Sequence, residues 1–151
     1  MRVIRIDFAG KQKNPTVICI LTGKKTQFKT VYSDEEILKI SQVIDPDIIT
    51  IDAPIMNGEP RIRKADKLLK KFKAFPPTLP GMKYLTKRGS KLALQFASQF
   101  IVIEVFPTAT AKILGKYEKD FRQTAANFGI KVKNKDELDA YFMLFNWNDV
   151  P

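Results

Sequence analysis

Apolar and polar residues alternate from Arg2 to Phe8, where Val3, Ile4 and Ile6 sit among Arg2, Arg5 and Asp7. That period predicts a strand. Ala9 to Pro15 holds Gly10, Asn14 and Pro15 and reads as a turn. Thr16 to Leu21 is β-branched and apolar, a second strand, and Thr22 to Lys25 is a short turn. Thr26 to Tyr32 alternates Phe28, Thr30 and Tyr32 with polar residues, a third strand. Strands joined by turns this short predict an antiparallel meander.

The period then changes. Ser33 and Glu36 stand at capping-box spacing, and Ile37, Leu38, Ile40 and Ile44 follow at helical intervals up to Asp45-Pro46. Asp47 to Asp52 reads as a buried strand of the parallel type, so strand, helix and strand form a crossover. Arg61 to Lys73 has helical spacing, Phe75 to Gly81 is a proline-rich loop, and Ser90 to Phe100 predicts another helix. Ile101 to Val105 is a strand. Thr108–Leu114 and Glu118–Phe128 read as short helices, each followed by a glycine, Gly115 or Gly129. Asn134 and Glu137 make a second capping box before a last helix. Leu138, Ala140, Tyr141, Phe142, Leu144 and Phe145 predict that this helix is nearly all buried. There is no repeat and no linker. The expectation is one α/β domain over 1–151, with about five strands in a mixed sheet flanked by helices.

Composition agrees with a folded domain. At 151 residues, 44% hydrophobic and 28% charged, the chain can bury one sizeable core and is not of disordered type. The apolar run Val17 to Leu21 falls far short of the roughly 20 residues of a membrane span. Charges at every second or third position of the N-terminus exclude a signal peptide. The single cysteine, Cys19, lies in an apolar run and reads as a buried, reduced thiol. These features predict a cytoplasmic protein without a membrane partner. The oligomeric state stays open, a homodimer included. The absence of histidine removes Ser-His-Asp and Cys-His catalysis and any zinc site that uses His. A metal would need oxygen ligands, which favours Mg2+, Mn2+ or Ca2+.

The net charge of +10 is localised. Eleven basic residues and one acid, Asp66, lie between Arg61 and Leu92, and the rest of the chain is neutral. A solvated lysine-rich surface is the plain reading. Clustering in one segment favours a polyanionic partner, nucleic acid first. Arg61, Arg63 and Arg88 are then candidate phosphate forks, and Lys67, Lys70 and Lys71 candidate point charges. Phe75 and Tyr84 are candidate stacking residues, while Phe72 and Leu85 read as core.

The acids supply the candidate chemistry. Asp7 and Asp52 each end an apolar strand, and ends of neighbouring strands project into one crevice of an α/β sheet. Asp136 and Asp139 are three apart and share one face of the last helix. Four converging carboxylates repel one another unless divalent cations are bound. Two ions at such a site can activate water and stabilise the leaving oxygen in phosphodiester cleavage. Singly, each acid also has a structural reading, as a turn acceptor or a first-turn helix acid. Asp139 and Glu104 stand out, because each lies in an apolar stretch and needs a partner or an opening.

The ordered set Ile6-Asp7-Phe8-Ala9-Gly10, Ile51-Asp52-Ala53-Pro54-Ile55, Arg63 to Leu69, Arg88-Gly89, Ile103 to Thr108 and Asp136 to Ala140 spans nearly the whole chain. In this it resembles a family of uncharacterised proteins described as predicted nucleases with an RNase H-like fold. The Asp136-x-x-Asp139 motif is similar to that of Holliday-junction resolvases. The resemblance implies an RNase H-like fold and a metal-dependent phosphodiesterase, using Mg2+ or Mn2+, with Asp7, Asp52, Asp136 and Asp139 as catalytic metal ligands. Two other functions compete with it. One is a nucleic-acid-binding module without catalysis, in which the acids serve as caps and salt-bridge partners. The other is a nucleotide-dependent phosphotransferase, faintly echoed in Asp7 to Gly10 and disfavoured by only seven glycines and no second phosphate loop.

Overall fold

A computed structural model describes residues 1–142 other than Gly10, Gln12 and Lys24. The expected burial of Leu144 and Phe145 falls outside the described residues, as does the side chain of Phe142.

Strands β1 (Arg2–Asp7), β2 (Thr16–Thr22) and β3 (Lys25–Val31) form the expected antiparallel meander, with Ile4 opposite Ile20 and Cys19 opposite Phe28. Helix α1 (Asp34–Ile44) starts at the predicted box: Ser33 Oγ accepts from the Glu36 amide at 3.2 Å, and Glu36 Oε2 accepts from the Ser33 amide at 3.0 Å. The chain then crosses over to β4 (Ile48–Ile51), parallel to β1, and later to β5 (Ile101–Glu104), parallel to β4. The result is a five-stranded mixed sheet in the order β3-β2-β1-β4-β5.

Strand alternation divides the interior in two. Ile4, Ile6, Ile18, Ile20, Ile49 and Ile51 face one side, where Ile37 of α1 and Leu92, Ala93 and Phe96 of α3 (Pro80–Phe96) complete the main core. Each such buried aliphatic side chain contributes about 1.5–3 kcal/mol by leaving water. Val17 and Cys19 face the other side and meet Ala140 of α6 (Lys135–Phe142). A third cluster joins Ala111 of α4 (Pro107–Ile113), Ala125 of α5 (Phe121–Asn127) and Leu138 of α6. Helix α5 is capped at Phe128 and followed by Gly129, whose φ of 68° suits glycine, and the Ile130 amide reaches back to the Ala125 carbonyl at 3.1 Å.

Four elements differ from expectation, one of them the helix expected from Glu118, which starts as α5 at Phe121 behind the Asp120 cap. The helix expected over 61–73 is α2 (Lys64–Leu69) followed by a 3₁₀ turn over Lys70–Phe72. Its start is set by Asp66 Oδ2, which accepts from the Arg63 amide at 2.7 Å. Helix α3 begins ten residues before the expected Ser90 and ends at Phe96. Pro80 takes the first helical position, where its missing N–H costs nothing. Gly89 lies inside the helix because a Cβ there would stand 2.6 Å from Ala53 Cβ. In the last helix, Asn134 Oδ1 caps the Glu137 amide at 2.9 Å, while Glu137 Oε2 accepts from Lys133 at 2.8 Å and not from Asn134. No described helix is long and apolar enough to cross a membrane.

Candidate active site

The parallel pairing of β1 and β4 runs out at Ile6 beside Ile51, and the Asp52 amide donates to the Ile6 carbonyl at 3.1 Å. That bond carries the register one residue further, so Asp7 and Asp52 end adjacent strands side by side. Both lie on the sheet face opposite Ile6 and Ile51, the face that α6 covers. Each is partly buried. Helix α6 packs there through Ala140 and brings Asp139 towards the pair; the Asp139 side chain retains 19% exposure. Asp136, one turn earlier, is exposed. The four predicted acids are therefore unequal: three are withdrawn from solvent and Asp136 stands at the rim.

Burial dominates the electrostatics of Asp7, Asp52 and Asp139, and neighbouring charges add to it. Burial pushes the Asp7 carboxyl up to about 7, with Asp139 and then Asp136 adding repulsion. Asp52 is driven well above the ordinary carboxylate range by burial, then by Asp7 and Asp139. Burial also raises Asp139, opposed by Lys135. Lys135 Nζ lies 3.4 Å from Asp139 Oδ2, and its charge also lowers Asp7 and Asp52. This lysine was not singled out from the sequence, where its one signal is its place four residues before Asp139.

Among the described residues no three acids or cysteines stand close enough to cage a metal ion. The donor set nonetheless suits a hard divalent cation. Magnesium commonly takes one or two carboxylates and completes its shell with water and phosphate oxygens. Asp7 and Asp52 supply that number, and burial among like charges is what a bound cation would relieve.

No protein-family model matches the chain, and none of the curated proteins does. Two crystal structures of the trimeric exonuclease PhoExo I from Pyrococcus horikoshii OT3 are similar at 16% and 17% identity, each with a TM-score of 0.35. The similarity covers 70% of this chain and 57% and 58% of theirs, less than two thirds of their length. A likeness of that size carries no weight for fold or activity, and the site stands on its own geometry.

Beyond β4 and β5 the sheet end opens into a cavity of about 160 Å³ that Asp52, Asp66 and Glu104 share with apolar side chains. Glu104 pairs with Arg63, one of the two roles its apolar strand allows. Arg63 Nη1 and Nη2 donate to Glu104 Oε2 and Oε1 at 2.6 and 2.7 Å, and Nη2 also donates to Asp66 Oδ1 at 2.7 Å. Glu104 Oε2 further accepts from the Ile55 amide at 2.8 Å, which fixes the loop after Asp52.

This corrects the reading of Arg63 as a phosphate fork, because its guanidinium is committed to two carboxylates. Arg88 is corrected likewise. It is 9% exposed, and its Nε donates to Asp34 Oδ1 at 2.8 Å and its Nη1 to the Ala9 carbonyl at 2.6 Å. It ties α3 to α1 and to the loop after β1. The remaining predicted cations face water: Arg61, Lys67, Lys70 and Lys71 are exposed, with Arg61 also donating to the Asn57 carbonyl at 2.8 Å. Phe75 and Tyr84 are 68% and 63% exposed, while Leu85 packs on the core as expected. A buried cation was missed: Arg5 is fully buried beneath α6 and donates to the Tyr141 carbonyl. The alternation of β1 puts it on the Asp7 face, but composition gives no sign that α6 seals that face.

Proposed function

We propose that this protein is a metal-dependent phosphodiesterase acting on nucleic acid in the cytoplasm, a single domain with an RNase H-like fold. The observation that carries this reading is the lateral pairing of Asp7 and Asp52 at two parallel strand ends, with Asp139 turned towards them from α6. Asp7 and Asp52 would hold Mg2+ or Mn2+, Asp139 would be the next ligand, and Asp136 would serve a second ion at the rim. Such ions, when bound, supply an activated water and positive charge against the phosphate. The protein's own contribution is to hold the carboxylates in place through the β1–β4 register and to keep Lys135 against Asp139. Arg61, Lys67, Lys70 and Lys71 would bind the flanking phosphates.

The binding-module alternative explains the exposed lysines and the Lys135–Asp139 pair but leaves the partly buried Asp7 and Asp52 without a role. The test is manganese-dependent cleavage of a substrate panel that includes single-stranded, duplex and branched DNA and RNA. Wild type should cut at least one substrate. Asp52→Asn should lose that cleavage by at least about a hundredfold while retaining salt-dependent binding.

A further inference from the structure

We propose that the cavity beyond β4 and β5 is the seat of one unpaired nucleobase, belonging to a nucleotide next to the phosphate that Asp52 addresses. The inference rests on the phosphodiesterase reading and adds the substrate class: a strand whose base at the cut site is single-stranded or extruded.

The cavity measures about 160 Å³, below the roughly 300 Å³ at which pockets begin to enclose drug-sized ligands. It has room for one ring system. Leu69, Phe75, Met82, Leu85 and Phe106 supply apolar and aromatic walls. Such walls favour a flat heteroaromatic group, since every base has a stacking face.

The charged groups of the lining decide which part of a nucleotide enters. They are all acids: Asp52, Asp66 and Glu104. A phosphate would be repelled, whereas a base bearing exocyclic amino and ring N–H donors would be accepted. Arg63 fixes the acceptors without consuming them. Glu104 Oε1 and Asp66 Oδ1 each accept one bond from Arg63 Nη2, and a carboxylate oxygen has two lone pairs. One wall of the cavity is α2, through Asp66 and Leu69, and α2 and the turn after it carry Lys67, Lys70 and Lys71 on their exposed side. Acids line the inside and lysines the outside. The backbone of a bound strand would follow the lysines while the base turns inward. A stacked, paired base cannot reach such a seat, so the nucleotide must be unpaired.

The test uses the full-length protein in metal-free buffer and two single-stranded oligonucleotides, identical except that one carries 2-aminopurine and the other an abasic residue at the same position. Affinity for the base-bearing strand should be at least about fivefold tighter, with a change in 2-aminopurine fluorescence. Ala74→Trp, which fills the cavity from its loop, should abolish the difference. Phe75→Ala, at an exposed position, should reduce it without changing the fold. Equal affinity of wild type for the two strands, or an undiminished difference in both variants, would overturn the proposal. Manganese is then added to the same strands. Base discrimination without cleavage of these strands or of any member of the substrate panel would remove the phosphodiesterase reading and leave the base seat standing; cleavage without discrimination would do the reverse.

Discussion

Asp52 lies beside Asp7 because the β1–β4 ladder continues one residue beyond Ile51, through the amide of Asp52 and the carbonyl of Ile6 at 3.1 Å. Two acids are thereby fixed by backbone pairing on the face that α6 covers. The consequences concern acidity, packing, salt and metal.

The first consequence is an inverted pH dependence of stability. Burial first, and Asp139 and Asp136 next, push Asp7 up to about 7. In the unfolded chain it ionises near 3.9. Between those values the folded state keeps a proton that the unfolded state has lost, so stability from this group falls as pH rises from about 4 to about 7 and is level above. Asp7→Asn removes that loss. Its melting temperature at pH 8 should exceed wild type by at least about 3 °C in metal-free buffer, with a smaller gap near pH 4. A fall at pH 8 would mean that the carboxylate of Asp7 stabilises the fold.

The second concerns Gly89, whose missing Cβ lets α3 approach the end of β4 at Ala53. On helix propensity alone, Gly89→Ala would stabilise by about 1 kcal/mol. The 2.6 Å approach predicts the opposite sign, a loss of about 1–3 kcal/mol in chemical denaturation. Ala53→Gly in the same chain should restore part of it, giving a coupling of about 1 kcal/mol or more. Additive losses would show that the two residues do not press on each other.

Much of this was legible in the sequence. The β1–β3 meander and the start of α1 were written in local terms, an alternation of period two and the Ser33–Glu36 box, and local terms decide them. The adjacency of Asp7 and Asp52 followed from strand ends and a crossover. Helix α3 was not legible upstream of Ser90, because Gly81 and Gly89 look like breakers and only Ala53, far along the chain, makes Gly89 a packing residue. The basic segment misled for a related reason. Charge counting cannot distinguish Lys70, which faces water, from Arg88, which holds Asp34 and the Ala9 carbonyl inside the protein. Arg63 had local evidence in Asp66 three residues on, but its bond to Glu104 spans forty-one positions.

The third prediction separates those cations. If Lys70 and Lys71 bind phosphate, the logarithm of affinity for duplex DNA should fall linearly with the logarithm of salt. Lys70→Glu with Lys71→Glu should reduce the slope by about 0.9 for each phosphate that is no longer neutralised. Arg88→Gln should lower thermal stability and leave the slope unchanged, because that guanidinium is enclosed. A flat salt response in wild type would remove the polyanion partner.

The central claim, that Asp7 and Asp52 hold one divalent ion between them, is tested most directly by calorimetric titration of Mn2+ into wild type, Asp7→Asn, Asp52→Asn and the double variant, each with and without a single-stranded oligonucleotide. The account predicts binding to wild type that either single change removes, with the double variant no worse than either alone. Undiminished binding in both single variants, or none to wild type even with nucleic acid present, would contradict it.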